Sequence, residues 1–237
     1  MNASSAAPES GVIQQIVRAI YDAIENGVYV PGQRLIEADL TRDLQVSRPS
    51  LREAFQRLSA EGVLDILPNR GVMVRRFDAD DITQIQQIRN VLEPLAAEGA
   101  ARCIDQAGNR AQFERVAAPW MGAPPVDDIE TFLRENRRLH RTIVELSGNP
   151  HMVPIMERLN VLLLCAHFRY TFPREQRVAS SAKHQAIAQA ILAGDAPLAR
   201  RLMKQHMAHS ESQMQQYLAR NGPRPKHLPM LQAVRLR

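Results

Sequence analysis

Between Leu44 and Leu58 the chain carries a helix start that admits few readings. Ser47 can accept a hydrogen bond from a free backbone N–H of the first turn, and Pro49 falls where a missing N–H costs nothing. The helix so opened has Arg48, Ser50 and Arg52 near its amino end, while Leu51, Ala54, Phe55 and Leu58 recur at helical spacing on the opposite side. An apolar packing face behind a basic amino end describes the second helix of a helix-turn-helix. The amino end of such a helix reaches base edges in the major groove, where arginine can bond bidentately to guanine. This chemistry points to double-stranded DNA.

The flanks predict a winged helix. Upstream, Val12, Ile13, Ile16, Val17, Ile20 and Ile24 mark a helix from Val12 to Glu25, which Gly27 and Pro31-Gly32 end. Arg34-Leu35-Ile36 is short enough for an edge strand, and Glu37 to Leu44 gives the first helix of the pair. Downstream, Gly62 stops the recognition helix. Val63 to Leu67 and Val72-Met73-Val74 are then β-branched runs joined by Pro68-Asn69-Arg70-Gly71. The resulting hairpin carries Arg70 at its tip, suited to a minor groove or to phosphate, with Arg75 and Arg76 on the exit strand.

Residues 11–76 resemble the DNA-binding domain of the GntR family of bacterial transcription regulators. The likeness is carried by Pro31-Gly32-Gln33-Arg34-Leu35-Ile36-Glu37, by Val46 to Ala54, by Leu58 and Glu61-Gly62, and by Pro68-Asn69-Arg70-Gly71. It implies operator contacts from Arg48, Arg52 and the wing, and gives a candidate set of Arg34, Ser47, Arg48, Ser50, Arg52, Arg70 and Gly71. The chain departs from the family's frequent Thr-Pro after the first arginine, since Pro49-Ser50 reverses hydroxyl and proline.

Charge agrees with such a partner without concentrating on it. The formal net charge is +5, and Lys183, Lys204 and Lys226 are the only lysines, so arginine supplies most of the positive charge. Arginine favours planar bidentate partners such as phosphate, carboxylate and guanine. Residues 11–76 nevertheless hold nine arginines against eight acidic residues, so DNA affinity must come from placement. Cys103 and Cys165 stand in apolar surroundings and are expected to be reduced thiols. With no membrane-length apolar run and no secretory leader, a cytoplasmic protein without a membrane partner is expected.

From about residue 80 the pattern is entirely helical. Ile82, Ile85, Ile88, Val91, Leu92 and Leu95 line one predicted helix, and 111–118 gives a shorter one that ends at Pro119. Longer helices follow over about 126–146, 152–172, 174–193 and 195–218. Their short breaks predict an antiparallel bundle. The expected fold is therefore mainly α, a winged helix-turn-helix at 11–76 joined by a linker at 77–80 to an all-helical effector-binding and dimerisation domain at 81–220. Residues 1–10 are expected to be disordered and 221–237 a flexible tail.

Within the bundle, Asn136 and His140 project from one helix face, and His184 and His206 come from two later helices. Three imidazoles and a carbonyl oxygen could hold a divalent cation and leave positions open. Arg89 lies among Ile85, Ile88 and Leu92, so its charge needs either solvent or a partner. Residues 80–215 resemble the FCD effector-binding domain of the FadR subfamily of GntR regulators. The matching residues are Ile88 to Pro94, Leu139-His140, Leu146 to Pro150, His184 to Ile187, Asp195, Ala199 and Met203 to His206. The resemblance implies that Asn136, His140, His184 and His206 bind zinc or nickel beneath a pocket for a small organic acid. Asn136 stands where an aspartate is frequent. Arg89 is implied to face that effector, with Arg169 as a second candidate.

The expected function is that of a ligand-responsive repressor, a homodimer that sets two recognition helices on operator half-sites and changes their separation when the acid binds. Two rivals are a metal-dependent hydrolase or isomerase using the three histidines, and a metal-free regulator whose bundle only dimerises. The first lacks a glutamate in metalloprotease spacing and leaves Arg48 and Arg52 unexplained.

Overall fold

A computed structural model describes residues 6–25, 27–68, 70–164 and 173–221, which fall into two compact units that part between Asp78 and Ala79. In the first unit, α1 (Ala6–Glu25) precedes β1 (Arg34–Leu35), α2 (Glu37–Asp43) and α3 (Arg48–Ala60). The wing strands β2 (Leu64–Leu67) and β3 (Gly71–Val74) follow. Residues 6–10, expected to be disordered, open α1, and residues 1–5 lie outside the described set.

The core of this unit is the predicted one. Leu51, Ala54, Phe55 and Leu58 of α3 are buried against Ile13, Ile16, Val17, Ile20 and Ile24 of α1 and Leu40 of α2. Burying a side chain of this size contributes about 1.5–3 kcal/mol. The opposite side of α3 is therefore free to carry charge. The sheet order is β1-β3-β2, antiparallel throughout, with Arg34 opposite Met73 and Leu67 opposite Gly71. Gly71 has φ +79°, which a three-residue hairpin loop requires of the residue that closes it. A side chain there would also crowd the Arg34 guanidinium, whose Nε would lie 3.3 Å from the added Cβ.

The second unit contains α4 (Ala79–Cys103), α5 (Asn109–Met121), α6 (Ile129–Glu145), α7 (Met152–Leu164) as far as Asn160, α8 (Arg174–Leu192) and α9 (Ala196–Asn221). α4 packs on α6, α8 and α9, and α5 on α6 and α8. Helix α4 begins at Ala79, inside the expected 77–80 linker, and of the expected tail only Asn221 is described, as the last residue of α9.

Two predictions about helices need correction. Pro119 does not end α5: the helix runs on to Met121 with the proline inside it. The proline forfeits the one bond its own N–H would make to the carbonyl four residues back, and the gain is Trp120, which is completely buried beside Phe132 with ring centroids 5.7 Å apart. The second correction concerns the phase of α4. Ile82 and Ile85 are buried as expected, but Ile88, Val91 and Leu95 are exposed, at 49%, 69% and 42%. The inward face instead carries Gln86, Glu93, Ala96, Ala97 and Ala100. Polar side chains occupy that face because each finds a partner inside the bundle.

Candidate functional site

The amino end of α3 is built as a presenting surface. Ser47 is the N-cap, and its Oγ accepts from the Ser50 backbone N–H at 3.2 Å. The two hydroxyls lie 2.8 Å apart, so Ser50 is tied to the cap. Arg48 is exposed and makes no ion pair with a described residue. Arg52 is exposed too, but its Nε donates to Glu37 of α2, 3.1 Å from Oε2. Arg34 approaches Gly71 at the loop end of the wing, and both, with Glu37, line an open cavity of about 420 Å³. Arg70 is exposed at the wing tip, while Asn69 lies outside the described residues. Arg75 stacks on Phe77, with its guanidinium carbon 5.3 Å from the ring centroid. All seven predicted DNA-binding residues thus belong to this one unit.

In the bundle, three helices bring their histidines together. Nε2 of His184 on α8 lies 3.3 Å from Nε2 of His140 on α6 and 3.3 Å from Nε2 of His206 on α9. The ligand atoms of the three residues all lie within 4.8 Å of one another, and all three side chains are buried. Two imidazoles bound to one tetrahedral ion at metal–nitrogen distances of about 2.0–2.1 Å would hold their nitrogens about 3.4 Å apart. The observed separations match that value. Burial, and then the neighbouring charge of His140, holds the His184 imidazolium form well below its ordinary pKa. Burial followed by the charges of His184 and His140 does the same at His206. Neutral rings keep the lone pairs that a cation needs. This chemistry and spacing fit a divalent metal.

Behind the histidines runs a chain of charge. Nδ1 of His140 lies 2.9 Å from Oε2 of Glu93, and the other carboxylate oxygen, Oε1, accepts from the Arg89 guanidinium at 2.6 Å. Burial alone would raise the Glu93 pKa. His140 and Arg89 outweigh burial and hold it at about 2, so the group is ionised. A carboxylate on the far nitrogen of a ligating histidine fixes the ring and raises its basicity. Arg89 is thereby half engaged, and its Nε is buried with no partner. Trp120 closes another side, its ring edge-on to His184 at 4.5 Å between centroids.

Asn136 stands one turn before His140 on α6, half-buried, and makes no side-chain hydrogen bond with a described residue. Arg169 lies outside the described residues.

The comparisons with known proteins decide the family. The FCD domain family matches residues 84–209, and the family described as bacterial regulatory proteins, gntR family, matches residues 12–74. The chain belongs to the GntR family. A Bacillus subtilis relative, the uncharacterized HTH-type transcriptional regulator YdhC, is 30% identical over 164 residues, covering 66% of this chain and 70% of the relative. Another relative, from Paenarthrobacter nicotinovorans, is a probable D-xylose utilization operon transcriptional repressor. It is 26% identical over 201 residues, or 83% of this chain and 86% of its own length. The solved structure of E. coli McbR/YncC shares the fold, with a TM-score of 0.75 and 22% identity over 87% of this chain and 98% of that one.

As a GntR regulator with an FCD domain, the chain is a DNA-binding transcriptional regulator and not an enzyme, so the hydrolase and isomerase readings fall. No described helix is long and apolar enough to cross a membrane. Sequence reasoning found the three histidines but assigned no role to Glu93, Trp120 or Glu37. Glu93 left a trace, since it lies four residues after Arg89 and in helical phase with Gln86, Ala96, Ala97 and Ala100.

Proposed function

We propose that this GntR regulator is a cytoplasmic, homodimeric repressor whose bundle holds a divalent metal and a small organic acid, and that the acid changes its affinity for operator DNA. The observation that carries the reading is the convergence of His140, His184 and His206, backed by the Glu93–Arg89 pair. These three histidines, with Asn136 as a fourth donor, would hold the ion, zinc or nickel by ligand type. When bound, the metal supplies a Lewis-acidic anchor for a carboxylate oxygen. Arg89 supports an acidic ligand independently, because its buried Nε–H has no partner and carries positive charge.

On the DNA side, Arg48 and Arg52 would read base edges, while Arg34, Arg70, Ser47, Ser50 and the Gly71 backbone would position the domain on the duplex. A repressor role has the support of the Paenarthrobacter relative, itself a probable operon repressor. Dimerisation has the support of the exposed apolar stripe Ile88, Val91 and Leu95 on α4, a face suited to a second copy. A dimer sets two recognition helices on half-sites about one helical turn apart. An acid that prefers one dimer form would alter that separation, with coupling of about 1–3 kcal/mol.

The test is a gel-shift titration on the protein's own upstream DNA with candidate carboxylates, using metal-loaded and chelated protein. The reading expects at least one acid that binds the loaded protein to change DNA affinity. Acids that bind without moving DNA affinity would refute it.

A further inference from the structure

Of the exposed arginines at the amino end of α3, one is held and the other is not. Arg52 donates from Nε to both oxygens of Glu37, at 3.1 and 3.3 Å, across two helices of the helix-turn-helix. Arg48 has no such partner among the described residues. An exposed pair of this kind contributes little to stability: the side chains are 66% and 35% exposed, and solvent screens their attraction. A negative charge beside a phosphate-binding surface also opposes DNA electrostatically. The carboxylate therefore has a cost at this position and little structural return.

Its geometry supplies the return. We propose that Glu37 is a specificity-determining residue that never needs to touch a base: it holds Arg52 by Nε and leaves the two terminal guanidinium nitrogens to bond one guanine. Bidentate recognition of guanine O6 and N7 uses that terminal edge of the fork, so a carboxylate at Nε restrains the side chain without consuming its reading edge. A long arginine loses rotamer freedom on binding, and ordering it beforehand removes part of that cost for the correct base only. Glu37 also borders the cavity lined by Arg34 and Gly71, so the carboxylate that restrains the arginine lies beside the loop end of the wing. Arg48, unrestrained, is left to adapt to phosphate or base.

The proposal rests on Arg52 reading DNA, and the experiment separates the two. Preferred duplexes are selected from a random library with the full-length protein. Affinities of the wild type, Glu37→Gln, Arg52→Gln and the double variant are then measured on the selected duplex, on its single-base variants and on unrelated DNA. The expected result for Glu37→Gln is about a tenfold loss of preference at one guanine, with binding to unrelated DNA unchanged or tighter and the thermal midpoint unmoved. In the Arg52→Gln background the same change should have no further effect on preference. If Glu37→Gln keeps or sharpens the base preference while Arg52→Gln destroys it, Glu37 has no part in reading and the proposal fails alone. If Arg52→Gln leaves base preference intact, the reading of α3 fails and takes the proposal with it.

Discussion

Glu93 and His140 meet inside the bundle, carboxylate oxygen to ring nitrogen at 2.9 Å, with the glutamate side chain fully shielded from solvent. The contact engages Nδ1 and so leaves Nε2 as the ring nitrogen available to a metal. Replacing Glu93 with glutamine keeps the shape but removes the charge that raises the ring's basicity. It also leaves Arg89 buried beside a neutral group. Metal affinity is expected to fall 10- to 100-fold, as for other outer-shell partners of ligating histidines. Competition with a chromophoric chelator measures it directly, with circular dichroism as the check that the bundle remains folded.

Metal removal should destabilise the bundle, because a ligand that binds only the folded state stabilises it by mass action. At a free concentration 100 times its dissociation constant the ion contributes about 2.7 kcal/mol. Chelation should therefore lower the thermal midpoint by several degrees, and added zinc or nickel should restore it. The His184→Ala variant removes the ring whose Nε2 lies 3.3 Å from both of the others. Its midpoint should be insensitive to chelator, as read by differential scanning fluorimetry.

What sequence made legible was whatever local chemistry decides. Ser47, Pro49 and the Leu51, Ala54, Phe55, Leu58 period lie within twelve residues, and each constrains the same helix, so α3 and its buried face came out as read. The histidines were visible through a resemblance, but their mutual distances depend on α6, α8 and α9 packing together. Glu93 and His140 are 47 residues apart, and Glu37 and Arg52 are 15 apart, so neither pair has a local signature. On α4 the apolar pattern misled, because Ile88, Val91 and Leu95 face outward while the polar Gln86 and Glu93 turn inward. Hydrophobic periodicity finds an apolar face and cannot say whether its own core or another molecule covers it.

The wing and the recognition helix should separate in their salt response. Arg70 at the hairpin tip is exposed and without an ion pair among the described residues, as a phosphate contact would be in free protein. Arg70→Ala is expected to weaken binding to all duplexes alike and to lower the slope of log affinity against log salt by about 1. Arg48→Ala should instead cost about 1–3 kcal/mol on the selected sequence and relax base preference there. Fluorescence anisotropy over a salt series distinguishes the two.

Ser47 caps α3 through a single bond to the Ser50 N–H. Ser47→Ala is expected to cost about 1 kcal/mol of stability, and Ser47→Gly only a few tenths, since glycine suits the extended N-cap backbone and admits water to the free donor. Urea unfolding of both variants tests the order. Equal losses would assign the cost to the Ser47–Ser50 hydroxyl contact rather than to the cap.

The turn between α2 and α3 stores strain that can be released. Gln45 has φ +54°, the one non-glycine residue with positive φ among those described, and it is exposed. A side chain in that left-handed region costs about 1–2 kcal/mol through the approach of its Cβ to the following carbonyl oxygen, while glycine carries a smaller penalty in chain entropy. Gln45→Gly should therefore raise stability by about 0.5–1 kcal/mol in urea unfolding. Because the turn angle that sets α3 against α2 is already the glycine-compatible one, affinity for the selected duplex should not change. A loss of stability would mean that the Gln45 side chain makes a contribution larger than the strain it bears.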